Sequence, residues 1–289
     1  MKKMLKGLFA VLTFTAIFAA AEVKAAGESG FKAGAEYWST YLWRGQYLFG
    51  DQQGWIFPYA SFEIIDGLSI GVEGEMNAGW AGTKKEEPEY SSDQRGHNAF
   101  DFGVDYKYTA EGRLTISAGL WYLMTRKTFY SFITSYIGLD FEMFPFVTPL
   151  VKVTADYYTG NKIDGDEYKD INGNSNRMDL YFQAGLKKSI EIVEETAGVD
   201  FGAVVGYARY RALGTTDKKK INDISDIDLF VNSSLTYGLV TFNGGFHYVI
   251  VPGKQFKYNS PDNYISARSG NREKDIHRFF AIFGASISI

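Results

Sequence analysis

Residues 68–80 read Leu68-Ser69-Ile70-Gly71-Val72-Glu73-Gly74-Glu75-Met76-Asn77-Ala78-Gly79-Trp80. Leu68, Ile70, Val72, Met76, Ala78 and Trp80 alternate with Ser69, Gly71, Glu73, Glu75, Asn77 and Gly79, so an extended backbone sorts them onto two faces. One face is apolar and the other carries two carboxylates. A soluble sandwich strand has the same pattern, but this stretch reaches the roughly 9 to 11 tilted residues that cross a hydrocarbon layer. What separates the two readings is whether the pattern recurs.

It recurs along the chain. Residues 30–44 place Phe31, Ala33, Ala35, Tyr37, Tyr41 and Trp43 opposite Lys32, Glu36, Trp38 and Thr40. Residues 53–65 place Ile56, Pro58, Ala60, Phe62 and Ile64 on one face, and Pro58, which lacks an N–H, predicts a bulge or irregular pairing there. Further apolar faces are Phe100 to Tyr108, Leu114 to Met124, Ile133 to Phe141, Val151 to Tyr157, Leu180 to Leu186, Val199 to Tyr207, Leu229 to Leu235, Val240 to Tyr248 and Phe279 to Ile289. That makes about 12 strands, and an even number is the rule for single-chain bacterial outer-membrane barrels. Connection lengths also alternate. Asp66-Gly67, 109–113, 142–147, 189–198 and 238–239 are short, whereas 82–96, 159–177, 211–226 and 251–275 are long and polar; 127–130 is short where a long loop is expected. Short periplasmic turns and long outer loops are the habit of such barrels.

The first 25 residues set the compartment. Lys2, Lys3 and Lys6 precede an uncharged apolar run over 8–21, and small residues around Ala25 suit cleavage, so 1–25 reads as a secretory signal and 26–289 as the barrel. Cleavage would remove four of the 30 basic residues (Lys2, Lys3, Lys6, Lys24) and one of the 34 acidic ones (Glu22), giving a net charge of −7. A surface of that sign excludes nucleic acid as a partner. The chain has no cysteine, so an exported protein here has no disulfide to lean on. Its 20 Tyr and 23 Phe suit the two interfaces of a bilayer. Beyond residue 25 no stretch approaches 18 consecutive apolar residues, and the membrane alternative to helices is a closed barrel, in which every backbone N–H and C=O is paired. The predicted fold is therefore all-β: a single up-and-down antiparallel transmembrane β-barrel of about 12 strands.

The inward face is expected to carry Glu36, Glu63, Glu73, Glu75, Asp101, Asp105, Asp156 and Asp179 against Lys107, Lys152, Lys187 and Arg278. Two readings of these charges stand open: a wet lumen whose residues select solutes, or cross-strand pairs that fill a narrow barrel. Glu73 and Glu75 share a face, as an acid and base pair would, but no nucleophile is placed near them, so they read as lining. His247, with Asn243 on its strand and Ser233 and Ser234 on the neighbouring one, is the only arrangement hinting at a barrel lipase. Asp164, Asp166, Glu167, Asp170, Asn172 and Asn174 are hard oxygen ligands, yet their spacing does not follow an EF-hand loop, so they read as a solvated loop. The run Lys218 to Lys220 reads likewise, with contact to anionic lipopolysaccharide as the alternative.

Ser39-Thr40-Tyr41-Leu42-Trp43-Arg44-Gly45 resembles the first-strand signature of an outer-membrane porin family often labelled TorF, and Pro58 and the Asp66-Gly67-Leu68 turn fit it. The resemblance covers about residues 35 to 80 and implies an outer-membrane barrel. The expected function is a passive channel for small hydrophilic solutes, with no enzymatic activity and no cofactor. The expected partners are the lipid bilayer and lipopolysaccharide. A closed structural or surface-interaction barrel with partner-binding loops is the main alternative, and a lipid-acting enzyme a remote one.

Overall fold

A computed structural model describes residues 30–40, 42–43, 46–47, 54–77, 98–111, 113–125, 132–158, 162–163, 166–167, 178–210, 221–252 and 277–289. Twelve strands form the barrel: β1 (Phe31–Trp38), β2 (Trp55–Ile65), β3 (Leu68–Asn77), β4 (Asn98–Ala110), β5 (Leu114–Thr125), β6 (Phe132–Phe141), β7 (Thr148–Tyr158), β8 (Met178–Val193), β9 (Ala197–Tyr210), β10 (Ile221–Tyr237), β11 (Val240–Ile250) and β12 (His277–Ser288). Each pairs antiparallel with its sequence neighbours, and β1 pairs with β12, so the sheet closes up-and-down. The seal lies at the short-turn end, where Phe31 and Ile289 exchange two N–H···O bonds of 2.9 Å. Followed strand to strand, the register climbs by about 16 residues per circuit, which implies a tilt of roughly 40–45° and a backbone radius of about 12 Å.

The apolar face of every strand points outward. Leu120 is 56% exposed, Ile137 53% and Phe246 52%, far more than an aqueous surface tolerates in one continuous band. Tyr37, Tyr122, Tyr157, Tyr207 and Tyr248 lie toward the long-connection ends of their strands, and Tyr108 and Tyr237 toward the short-turn ends. Aliphatic and Phe side chains fill the band between, which is the layout of a barrel wall in lipid with aromatic girdles. Burial is inverted relative to a soluble protein: Trp55, Phe57, Val249 and Phe280 are buried inside the lumen.

Several boundaries differ from expectation. The first barrel strand ends at Trp38, not residue 44: Ser39 N–H donates to Ala281 O, Ala281 N–H donates to Ser39 Oγ, and Leu42–Trp43 pairs locally with Gln46–Tyr47. Pro58 causes no bulge. Its pairing toward β3 lapses at Phe57 and Pro58, but the register is the same on either side, and the shift falls between Glu63 and Ile65 beside the Asp66-Gly67 turn. There Gly67 has φ 75°, and a Cβ would sit 2.0 Å from Lys107 O, so the position requires glycine. β8 runs to Val193 and β10 starts at Ile221, because at both places the ladder continues past the apolar alternation. Residues 78–80 of the opening stretch, the connection 127–130 and most of the calcium-like loop lie outside the described residues.

Arginine at Val153, which sits mid-strand between Ile137 and Phe182 on the lipid face, is expected to cost about 2–4 kcal/mol. Arginine at inward Gln183 on the next strand should change stability by far less. Guanidinium unfolding in phospholipid vesicles compares the two.

Candidate functional site

Inward rings lie against the wall because glycines on adjacent strands make room for them. A Cβ on Gly103 would be 2.5 Å from Trp121 Cδ2, one on Gly119 2.3 Å from Tyr136 Cε1, one on Gly34 2.9 Å from Tyr59 Cζ, and one on Gly202 2.8 Å from Phe230 Cζ. With a backbone radius of about 12 Å, rings pointing at the axis would choke the lumen; laid flat, they leave the centre freer.

All twelve residues singled out from the sequence lie on the inward face of their strands, but in different settings. Glu63 serves the turn, accepting from Gly67 N–H at 2.8 Å. Lys107 is exposed toward the short-turn rim. Asp105 accepts from Trp121 Nε1–H at 2.9 Å and from Tyr136 OH at 2.6 Å, and Lys152 Nζ stands 4.1 Å over the Tyr136 ring. Lys187 pairs with Asp140 at 2.6 Å. These contacts tie β4 to β8 by polar links between strands.

The carboxylates gather on the other side. Glu73 on β3 and Asp101 on β4 are directly opposed, a like-charge pair in adjacent strands. Glu36 and Glu75 lie within electrostatic reach of Glu73, and Asp101 Oδ1 is buried with no hydrogen bond among the described residues. Asp156, fully buried, accepts from Thr134 Oγ1–H at 2.8 Å, and Asp179 is equally buried on β8. Arg278 is buried on β12.

Four important residues were not singled out in the sequence. Asp226 and Asp228 on β10 face inward; Asp226 accepts from Tyr181 OH at 2.9 Å and from the Ser225 hydroxyl. The sequence places Asp226 at the end of the loop 211–226, but it lies in β10; Ser225 is an extra residue, since Gly206 pairs with Asp226 but Tyr207 with Ile224, and the bulge breaks the alternation that marks a strand. Phe230 and Phe280 are the other two; read as apolar, they give no sign of facing a lumen.

His247 does not meet a serine. Its Nδ1 lies 2.9 Å from Asp228 Oδ2, its ring stacks on Phe280 at 4.5 Å and Phe230 at 5.8 Å, and its Nε2 has no hydrogen-bond partner among the described residues. Ser233 faces outward and donates to Gly244 O, and Ser234 pairs with Asn243, four residues along the strand from the histidine.

No protein-family model matches this sequence, and no curated protein sequence matches it. Solved structures do match in shape. The NanC porin aligns with a TM-score of 0.51 at 10% identity, over 89% of this chain and 98% of that one. An outer-membrane channel from Pseudomonas putida F1 aligns with a TM-score of 0.50 at 9% identity, over 90% and 95%. The chain has the fold of an outer-membrane channel. Identity this low carries the architecture and not the cargo.

Asp105→Leu leaves the Trp121 indole N–H and Tyr136 hydroxyl without their shared acceptor, and is expected to cost about 2–3 kcal/mol, against roughly 1 for Asp105→Asn. Urea unfolding of the two variants in detergent measures the difference.

Proposed function

We propose that the chain is an outer-membrane β-barrel that acts as a passive channel for small hydrophilic solutes, with a preference for cations. The observation that carries the reading is the charge of the inner wall: Glu36, Glu73, Glu75 and Asp101 gather on β1, β3 and β4, while among the described residues the inward bases stand apart from them, Lys32 and Lys107 toward the short-turn rim, Lys152 and Lys187 on β7 and β8, and Arg278 buried on β12. A lumen lined by carboxylates with low-dielectric walls concentrates cations and repels anions. The apolar outer band and aromatic girdles place the barrel in a bilayer, and the channels that share its fold support an outer membrane, where the long-connection end would meet lipopolysaccharide. The TorF-type label rests on the signature at 39–45 and on Pro58 and the following turn. An enzymatic role has no support from His247, whose only polar partner among the described residues is Asp228.

A second reading has its own observation. Trp55, Phe57, Asp156, Asp179 and Phe280 are nearly inaccessible inside the barrel toward its long-connection end, as in a closed structural barrel. Planar-bilayer recording separates the two. A channel gives ohmic steps and a reversal potential on the cation side in a KCl gradient. Glu73→Gln with Asp101→Asn should reduce the cation-to-anion permeability ratio severalfold. Folded protein that leaves the bilayer silent would establish the closed reading instead.

A further inference from the structure

Trp121 on β5 lies flat on the inner wall as a plate. A Cβ on Gly103 would be 2.5 Å from its Cδ2 and one on Gly71 2.9 Å from its Cη2, so the pyrrole ring covers β4 and the benzene ring covers β3. Asp105 Oδ1 holds the indole in its plane by accepting Nε1–H at 2.9 Å. The wall takes one face only. The indole is half-buried, and among the described residues no second ring and no cation lies over the face turned to the lumen.

The register puts polar groups around the plate and none beneath it. Gly71 pairs with Gly103 under the indole. Two residues toward the long-connection end stands Glu73 on β3, two toward the short-turn end Ser69 pairs with Asp105, and Ser61 of β2 pairs with Gly71 at the far edge. The Cα atoms of Glu73 and Ser69 are about 13 Å apart along the strand. Asp105 Oδ1 takes both the Trp121 and the Tyr136 donors, which leaves Oδ2 free, and Glu73, Ser61 and Ser69 make no side-chain hydrogen bond among the described residues. None of these free oxygens is sealed from solvent. Lys107 and Thr109, exposed on β4, separate the plate from the short-turn rim, so access is from that side, away from the nearly inaccessible Trp55, Asp156 and Asp179.

The weakly positive C–H bonds on the face of a pyranose suit the negative face of an indole, and its hydroxyls, spread around the ring, suit acceptors and hydroxyls spread around the plate. A compact cation would engage Glu73 and leave the serines idle, and a flat aromatic solute would engage the plate and leave the rim idle. An anionic sugar would meet Glu73 and Asp101 with the wrong sign. We infer that Trp121 and its rim form a stacking site for a neutral pyranose, entered from the short-turn side. Trp121 supplies the platform, Glu73 and Asp105 Oδ2 accept hydroxyls, and Ser61 and Ser69 exchange hydrogen bonds with others. The inference rests on the wet lumen of the channel reading and deepens it by naming the class of solute, but binding at the plate does not require that the barrel conduct.

The test is saturation-transfer NMR of methyl β-glucoside with folded protein in a sugar-free detergent. Irradiating the protein's aromatic protons is expected to mark H1, H3 and H5, which share one face of the sugar, above H2 and H4, and to saturate with concentration. Trp121→Leu removes the platform, and Gly71→Ala lifts the indole off the wall; each should weaken binding by about five- to tenfold. Altered gel mobility before and after boiling certifies that each variant is folded, and Gly71→Ala serves if Trp121→Leu is not. No transfer from the folded wild type, undiminished transfer in the folded variants, or displacement of the glucoside by choline, which would make the plate a cation site, overturns the inference. A silent bilayer with intact transfer overturns only the channel reading.

Discussion

In hydrocarbon a backbone N–H or C=O without a partner costs several kcal/mol, and this single constraint shapes the protein. A sheet with two free edges would leave two rows of such groups in lipid. Joining β1 to β12 removes both edges at once, and the Phe31–Ile289 exchange seals the ladder at its lowest rung. Closure then fixes the rest: one face of each strand meets lipid, and the other is confined to a narrow interior with whatever polar groups it carries.

That interior is organised by contrast between its sides. From β4 to β8, Asp105, Tyr136, Trp121, Lys152, Asp140 and Lys187 neutralise one another through short contacts. Around β3 and β4 the acids face each other instead, with Glu73 opposite Asp101. Such repulsion is tolerable where water or a passing cation screens it, which ties an unfavourable feature of the fold to its proposed use. Asp226, in phase with the inward Asp228 and Phe230 and held by the Tyr181 hydroxyl, adds a further inward carboxylate on β10 next to the bulge at Ser225.

Most of the architecture was legible in the sequence because lipid enforces a strict period of two. Every outward face from Phe100 to Ile287 followed from alternation alone, and the alternating connection lengths gave strand parity. The misplaced boundaries all lie where lipid stops enforcing the rule. β8 continues through Glu191 into water, β10 begins with polar Asn222 and Asp223, and the first strand ends before Tyr41. Pairing needs only backbone there, so side-chain pattern is silent. The inward face was legible in charge but not in partnership: nothing in the order of residues says that Asp228 holds His247, or that Phe230 and Phe280 enclose it, because those contacts cross strands whose register is a property of the closed circle.

The rings seated on glycines tie neighbouring strands to one alignment. Trp121 finds its seat only when β5 stands beside β4 in one alignment. A slip of one residue turns the indole into lipid, and a slip of two replaces Gly103 with Asp101 or Asp105, whose side chains occupy the seat. Tyr136 checks β6 against Gly119 in the same way, and Phe230 checks β10 against Gly202. Each filled seat thus favours the pairings that add up to the observed circumference.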